Sequence, residues 1–364
     1  MKLSNAKIVL KDRIMSGSMV IENGKIALVT TDELSDGFDC AGCFVGPGFI
    51  DTHCHGGDDK WFFDDPAAAA NFHLQYGTTS MLASLWRNAA SGGLISAVTK
   101  VVKAIESVQV PNLIGIHMEG PYIDKDFGSE GGTAHPIDAN EYRAIIKATK
   151  GFIKHWTFDP LQKGAKAFAQ VCFGKDIKLS ICYSKATPGD IENFAKFGLN
   201  IGNHIMCATG KPPTKFAGTI ESGSDEYVLA NDDMYAELIC DSLGAHVRHE
   251  NVVITYKCKG ADKTILVTDY CADGDTLGSD VNIINGELYG SKLTMNTACR
   301  NMRAHTGASM PEIFRMASTT AASALGLTDI GAIEKGFVAD LVICDEDFNI
   351  HGVVKNGELV LNNL

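Results

Sequence analysis

Short apolar runs alternate with amphipathic segments through the central part of the 364-residue chain. This alternation is typical of βα units, in which parallel strands form a sheet that helices cover. The predicted strands end near His55, Ser84, Glu119, Phe158, Tyr183, Met206, Asp241 and Asp269. Helices are predicted at residues 66–76, 91–108, 139–150, 163–173, 188–197, 250–259 and 311–325. Eight strands is the number in a (β/α)8 barrel, so the pattern predicts a TIM barrel.

Both ends of the chain instead show the shorter pattern of β-hairpins. Asn23-Gly24 and Asn356-Gly357 each separate two strand-like runs, which is a strong signal for a two-residue turn. Because neither end is long enough to bury a core alone, we expect the two ends to pair with each other. The predicted fold is therefore α/β: a TIM barrel at residues 46–328 and a small β-sandwich domain built from both termini, residues 1–45 and 329–364.

The composition restricts the class of protein further. With 45% hydrophobic and 21% charged residues, the chain is expected to be globular, and no apolar run reaches the roughly 18 residues that a membrane helix needs. The net charge of −12 disfavours nucleic acid as a partner. The first residues lack the apolar segment of a signal peptide, and eleven scattered cysteines indicate free thiols. We therefore expect a cytoplasmic protein that acts on a small molecule, with no nucleic acid or membrane partner.

Side chains of the metal-ligand type stand at several predicted strand ends. His53 and His55 are two residues apart, so on a strand both imidazoles point to the same face. Glu119, His204 and Asp269 stand at the ends of later predicted strands. The carboxyl ends of barrel strands meet around one site, and histidine nitrogens and carboxylate oxygens bind zinc and similar ions. These five residues therefore predict a divalent metal site.

Each of these residues also has an ordinary structural interpretation. Paired histidines on a strand are often only packed or hydrogen-bonded, and Glu119 before Gly-Pro could cap a helix or form an ion pair. His204 alone could be a core histidine, and Asp269 could cap a turn. Ligand-type groups at four predicted strand ends are much less expected by chance than any one of them, which favours the metal site.

A metal in such a site would activate water for hydrolysis of an amide, an ester or an amidine. We expect Asp269 to take the proton of that water and return it to the leaving nitrogen, as general base and then general acid. The chain has neither the G-x-S-x-G motif of a serine hydrolase nor the G-x-x-x-x-G-K-[ST] phosphate loop, so those two classes of enzyme are set aside.

Several segments resemble the N-acetylglucosamine-6-phosphate deacetylases of the amidohydrolase superfamily, and the resemblance extends over nearly the whole chain. The matching motifs are Pro47-Gly48-Phe49-Ile50-Asp51, His117-Met118-Glu119-Gly120-Pro121-Tyr122, Leu266-Val267-Thr268-Asp269, Gly290-Ser291-Lys292-Leu293-Thr294-Met295 and GAIEKGFVADL at residues 331–341. The resemblance implies a metal-bearing barrel, a homodimer, Asp269 as general acid and base, and His53, His55 and Glu119 as metal ligands.

One departure from the family pattern concerns the metal site. Where the family has a metal-ligating histidine on the fifth strand, this chain has Tyr183, and a phenol with an ordinary pKa near 10 is a poor ligand. We therefore expect one ion, with His204 nearby as a remnant of a second site or a substrate contact. The expected chief ligands are His53, His55, Glu119 and Asp269. Zinc is the first expectation, and iron, manganese and nickel suit the same ligand atoms.

Other departures lie where the family contacts its substrate. Cys207 and Ala208 replace an Asn-Ala pair, and Lys211 is a candidate substitute for a missing phosphate-binding arginine. His246 stands two residues after the glycine that replaces a family histidine, and His135 matches another family histidine. The candidate substrate-binding residues are Ala134, His135, Tyr183, Cys207, Ala208, Lys211 and His246.

The sequence thus predicts removal of the acetyl group from an N-acetylated amino sugar. The default reaction converts N-acetylglucosamine 6-phosphate to glucosamine 6-phosphate and acetate. Two alternatives stay open. The replaced substrate contacts favour hydrolysis of a different amide or an amidine, and the loss of two family histidines, at Tyr183 and Gly244, favours a catalytically weak homologue that binds a metabolite. Retention of Asp269 beside the metal ligands favours an enzyme.

Overall fold

The computed structural model describes residues 1–86, 93–107, 110–128 and 133–364. Its strands, numbered along the chain, are β1 (Lys2–Val9), β2 (Ile14–Glu22), β3 (Lys25–Thr30), β4 (Phe38–Asp39), β5 (Phe44–Pro47), β6 (Phe49–Cys54), β7 (Gly56–Gly57), β8 (Lys60–Trp61), β9 (Thr78–Leu85), β10 (Leu113–Glu119), β11 (Ile153–Phe158), β12 (Lys178–Ile181), β13 (Leu199–Gly202), β14 (Tyr235–Ile239), β15 (Thr264–Val267), β16 (Asp275–Leu277), β17 (Val281–Ile284), β18 (Glu287–Ser291), β19 (Leu341–Cys344), β20 (Ile350–Lys355) and β21 (Glu358–Asn362). The helices are α1 (Pro66–Leu74), α2 (Leu94–Glu106), α3 (Ala139–Ala148), α4 (Ala165–Phe173), α5 (Pro188–Ala195), α6 (Ser224–Ala230), α7 (His249–Lys259), α8 (Met295–Thr306), α9 (Met310–Phe314) and α10 (Thr320–Leu325), with a π-helical turn (Arg315–Thr319) between the last two.

A barrel of parallel strands forms the centre of the molecule. Within the described residues it has eight strands, in the order β6-β9-β10-β11-β12-β13-β14-β15. Every residue of β6 and of β9 is buried, as expected for strands that helices cover outside and the core covers inside. The first and last strands meet where the amide of Asp269, just after β15, donates a hydrogen bond of 2.8 Å to the carbonyl of His53. The predicted (β/α)8 barrel is confirmed.

The observed strands end close to the predicted positions, with the largest difference at β13. This strand ends at Gly202 rather than near Met206, because His204 and Met206 have positive φ angles that leave the strand conformation. The predicted ends of α2, at residues 91 and 108, lie outside the described residues. Helix α8 was not predicted because its sequence, MNTACRNMRAHT, is polar on average, although the buried Met295, Ala298, Cys299 and Met302 do stand at helical spacing.

The strands of both termini share one sheet, in the order β21-β20-β19-β5-β1-β2-β3, with β4 beside β1. Strands β19 and β5 pair antiparallel, so the predicted pairing of the two ends is confirmed. The predicted Asn-Gly turns are also present: Asn23 and Asn356 have φ angles of 50° and 52°, and the following glycines have 76° and 81°, as a type I′ turn requires. Because β5 continues to Pro47, the sheet extends past residue 45; the domain boundaries stay a prediction.

The terminal sheet packs against the barrel through Phe314. A Cβ on Gly46 would lie 2.2 Å from the Phe314 ring, so this close approach requires glycine. The Phe314 ring in turn lies 5.6 Å from the ring of Phe49 in the first barrel strand. Among the described residues, no helix is both long enough and apolar enough to cross a bilayer.

Candidate active site

Five ligand-type side chains stand at the carboxyl ends of four barrel strands. His53 lies in β6 and His55 follows that strand directly, whereas Glu119 is the last residue of β10. His204 and Asp269 each lie two residues beyond the end of a strand, after β13 and β15. Because the strands are parallel, these ends meet at one mouth of the barrel, as the sequence predicts.

The side chains converge to contact distance. The Nε2 atom of His55 lies 3.1 Å from Nε2 of His53, 3.1 Å from Glu119 Oε2 and 3.1 Å from Asp269 Oδ1. The Nε2 atom of His53 lies 3.5 Å from the same two carboxylate oxygens. On the other side of the cluster, Nε2 of His204 lies 3.1 Å from Glu119 Oε1. Glu119 therefore links the His53–His55 pair to His204.

The backbone holds several of these residues in an uncommon conformation. Tyr183, His204 and Asp269 have φ angles of 49°, 25° and 49°, in the left-handed region that residues other than glycine rarely adopt. Such conformations persist only where the surrounding structure enforces them, and they cluster at functional sites. The Asp269 backbone is held on both sides, because its amide donates to His53 and its carbonyl accepts from the Ser291 amide at 2.7 Å.

Burial and mutual charge govern the protonation of the cluster. Burial opposes a charge on His53, but Glu119 and Asp269 outweigh it and hold the pKa of His53 well above its ordinary value. Burial likewise opposes the charged forms of Glu119 and Asp269, but the neighbouring histidines lower the pKa of both carboxyl groups. Asp269 is therefore a carboxylate near neutral pH.

Two overlapping sets of these atoms have the spacing of a metal site. The ligand atoms of His53, His55 and Asp269 lie within 4.8 Å of one another, as do those of His53, Glu119 and His204. Nitrogen and carboxylate oxygen are the donors that zinc, iron, manganese and nickel accept. The residues therefore fit a divalent ion, and His53 belongs to both sets.

Tyr183 lies on the His204 side of the cluster. Its hydroxyl is 2.9 Å from Glu119 Oε1 and 2.9 Å from His204 Nε2. Burial and the negative charge of Glu119 raise the pKa of the Tyr183 phenol well above its ordinary value, so the hydroxyl keeps its proton. A protonated phenol donates a hydrogen bond and is a poor metal ligand.

A pocket with about 520 Å³ of empty space, part of it open to solvent, lies over the cluster. Its floor is formed by His55, Glu119, Tyr183 and Asp269. The other described lining residues are Trp86, Ile123, Phe127, Gly128, Thr133, Cys271, Tyr289 and Gly290. Lysine and arginine are absent from this described lining. The pocket has the size of a small-molecule site, and its lining combines apolar and aromatic side chains with the polar groups of the cluster.

Of the predicted substrate-binding residues, Tyr183 lines this pocket and His246 does not. The His246 ring is engaged at both nitrogens: Nδ1 lies 3.1 Å from Asp241 Oδ2, and Nε2 lies 2.7 Å from the Gly290 carbonyl. Burial opposes a charge on His246, but Asp241 outweighs it and raises the pKa of His246. His246 therefore connects the end of β14 to the hairpin whose Gly290 lines the pocket.

The other predicted substrate contacts also lie outside the pocket lining. Lys211 is exposed and pairs with Glu226 at 2.9 Å. His135 is exposed, with Nδ1 3.0 Å from the carbonyl of Pro136, and its neighbour Ala134 is half-buried. The Cys207 carbonyl lies 3.0 Å from His204 Nδ1, and Ala208 is exposed. Substrate contact by these residues stays a prediction.

Sequence reasoning missed several residues of the pocket wall. Tyr289 and Gly290 belong to strand β18, which pairs with β17 and contributes to the pocket over the barrel mouth. Ile123, Phe127 and Gly128 follow the Gly120-Pro121 segment after β10. Their sequence position could have indicated a role in the pocket. They follow the strand that ends at Glu119, and the βα loops of a barrel form its active site.

The fold and the site define the class of protein: a metal-dependent amidohydrolase. The amidohydrolase family model matches residues 188–360. The chain is 30% identical to the N-acetylglucosamine-6-phosphate deacetylase of Lysinibacillus sphaericus, over 93% of this chain and 92% of that protein. It is therefore a member of the N-acetylglucosamine-6-phosphate deacetylase family.

Two further comparisons support membership of this family. The N-acetylglucosamine-6-phosphate deacetylase of Bacillus subtilis strain 168 is 27% identical over 95% of this chain and 93% of that protein. A crystal structure of N-acetylglucosamine-6-phosphate deacetylase from Thermotoga maritima is 29% identical, has a TM-score of 0.85 and covers 100% of both chains.

Proposed function

We propose that this protein hydrolyses N-acetylglucosamine 6-phosphate to glucosamine 6-phosphate and acetate. The observation that carries the proposal is the Asp269 carboxylate on the pocket floor, 3.1 Å from His55 Nε2, in a chain that belongs to a deacetylase family. A carboxylate beside metal-ligand atoms suits the activation of water, which a site for binding alone does not need.

Several residues of the site would each have a separate role in this hydrolysis. A bound divalent ion would supply a polarised carbonyl and a more acidic water. Asp269 would accept the proton of the water and carry it to the leaving nitrogen, because its lowered pKa leaves it unprotonated before the reaction. His55 is oriented for metal binding at Nε2, since its Nδ1 lies 3.2 Å from the Ser84 carbonyl. Trp86 and Tyr289 would exclude solvent from the substrate.

Acetate release tests this proposal. Zinc-loaded protein should release one acetate for each N-acetylglucosamine 6-phosphate consumed, measured by coupled acetate assay and by mass spectrometry of the amino sugar. The galactosamine epimer and the unphosphorylated sugar should be run beside it. Absence of acetate from every N-acetyl sugar, with metal bound and the fold intact, would contradict the proposal.

A second candidate function is hydrolysis of an N-acylated amine that has no phosphate. The described pocket lining favours it, because no lysine or arginine stands there to neutralise a phosphate, and Lys211 is already paired with Glu226. In the same assay, faster turnover of the unphosphorylated sugar than of the phosphate would select this function.

We also propose that the site holds one ion, with zinc as the first expectation. The Tyr183 hydroxyl bridges Glu119 and His204 with its proton retained, so the second set of ligand atoms lacks a further donor. The predicted homodimer and cytoplasmic location stay predictions, and sedimentation of the purified protein would test the first of them.

The Tyr183→His variant should bind two ions per chain where the unmodified protein binds one. An imidazole would offer a nitrogen lone pair beside Glu119 and His204, and histidine tolerates the left-handed backbone of position 183 better than most residues. Elemental analysis after metal loading and desalting gives the number. The matched control is Tyr183→Phe, which removes the hydroxyl, adds no ligand and should still bind one ion. Two ions in the unmodified protein would contradict the prediction.

A further inference from the structure

A further carboxylate, outside the two sets of ligand atoms, faces the metal-ligand cluster from inside the barrel. Glu237 is the central residue of β14 and is fully buried. Its Oε1 atom accepts a hydrogen bond of 2.6 Å from the Thr52 hydroxyl, which holds the side chain in place. Its other oxygen, Oε2, lies 3.6 Å from Nδ1 of His53.

These two facing atoms have no hydrogen-bond partner among the described residues. Both Glu237 Oε2 and His53 Nδ1 are shielded from solvent, and each lacks a partner within hydrogen-bond distance. Burying a carboxylate oxygen or an imidazole nitrogen without a partner costs free energy, so native proteins rarely leave both atoms of such a pair unsatisfied. The 3.6 Å separation exceeds an ordinary N–H···O distance, and a shift of about half an ångström would close it.

The His53 ring presents its two nitrogens to two different groups. Nε2 faces Glu119 and Asp269, each at 3.5 Å, on the side of the metal-ligand cluster. Nδ1 faces the Glu237 carboxylate on the opposite side. A metal bound through Nε2 requires the neutral ring to carry its proton on Nδ1, and a carboxylate at Nδ1 stabilises that tautomer.

We propose that Glu237 is a positioning residue for the metal site, whose carboxylate accepts a hydrogen bond from Nδ1–H of His53 and so fixes the orientation and tautomer of this ligand. The inference rests on the metal centre of the proposed function. Thr52 anchors Glu237 through its other oxygen, so the chain Thr52–Glu237–His53 runs from β6 to β14 and back to β6. Glu237 itself touches no substrate and is not a metal ligand in this assignment.

The Glu237→Gln variant tests this role. The amide keeps the size of the side chain, and its oxygen can still accept from Thr52. Its NH2 group then faces Nδ1 of His53, cannot accept a hydrogen bond from Nδ1–H, and favours the other tautomer. We expect the zinc dissociation constant, measured by competition with a chromophoric chelator, to rise about 10- to 100-fold. Selective ¹⁵N labelling of histidine, applied to the zinc-loaded proteins in which the His53 ring is neutral, should show a weakened or lost Nδ1–H···O hydrogen bond of His53 in the variant.

The matched control is Asp51→Asn. Asp51 is another fully buried carboxylate on β6, but its oxygens accept from Thr268 and from the His53 amide, not from the His53 ring. The dissociation constant of this variant should stay within about threefold of the original. If Glu237→Gln does not fold, Glu237→Asp keeps the charge but shortens its reach, and it should weaken zinc binding as well.

The outcomes separate the two proposals. Tight zinc binding by the unmodified protein with an unchanged constant in Glu237→Gln would overturn the role of Glu237 and leave the metal centre standing. A lower melting temperature of the metal-free variant with unchanged zinc affinity would indicate only structural support and would also overturn it. Failure of the unmodified protein to bind any divalent ion would overturn the metal centre first, and the positioning role with it.

Discussion

The Asp269→Asn variant should lose about a thousand-fold in kcat for acetate release while it keeps its fold. The amide cannot accept a proton from water, and the side chain keeps nearly the same shape. The backbone contacts of position 269 to His53 and Ser291 do not involve the side chain, so the barrel should still close. Steady-state acetate release, with circular dichroism and metal content measured on the same sample, gives the comparison.

Asp275→Asn is the matched control, because Asp275 is an exposed carboxylate on β16 and should change kcat by less than twofold. Metal content must accompany the rate, since Asp269 also belongs to one set of ligand atoms. A rate within tenfold of the original, at equal metal content, would remove Asp269 from the acid–base role. If the unmodified protein shows no turnover and Asp269→Asn binds the sugar equally well, the metabolite-binding alternative holds.

The His53→Ala variant should retain almost no metal. His53 is fully buried and contributes to both sets of ligand atoms, so its loss leaves neither set complete. We expect the metal content to fall from one ion to less than a tenth of an ion per chain after dialysis, measured by elemental analysis. The melting temperature of the metal-free protein shows whether the chain still folds.

Two controls accompany this experiment. His351→Ala removes a partly exposed histidine of β20, in the terminal sheet, that pairs with Asp345 and belongs to neither set of ligand atoms, and it should leave the metal content unchanged. His204→Ala removes a member of one set only and should keep the ion if His53, His55 and Asp269 hold it. An unchanged metal content in His53→Ala would contradict the predicted centre.

The convergence of the candidate ligands was predictable because it depends only on position relative to strand ends. Residues two apart on a strand share a face, and the carboxyl ends of parallel strands meet, so His53, His55, Glu119 and Asp269 could be placed together without coordinates. The terminal sheet was predictable for a similar reason, since the Asn-Gly turns at Asn23 and Asn356 have a definite local conformation.

The contacts of single side chains were not predictable in the same way. His246 was expected near substrate, whereas the structure ties its two nitrogens to Asp241 and Gly290, which depends on the path of the loop after β14. Glu237 faces His53 because these residues of the seventh and first barrel strands lie at the same level along the barrel axis, with both side chains in the interior. The position of each strand along the barrel axis and the path of each loop depend on the packing of the whole barrel. A local sequence pattern does not determine them.

The hydrogen bond between Asp269 and His53 that closes the barrel has a consequence for synthesis of the protein. The two residues come from the first and last barrel strands, so a chain that is still emerging from the ribosome holds His53 and His55 long before Asp269 exists. A half-made barrel can therefore present the histidine pair but cannot complete the set His53, His55 and Asp269. An ion held by His53, His55 and Asp269 could therefore bind only after the last barrel strand has joined the first, whereas the residues of the other set, His53, Glu119 and His204, are all synthesised earlier.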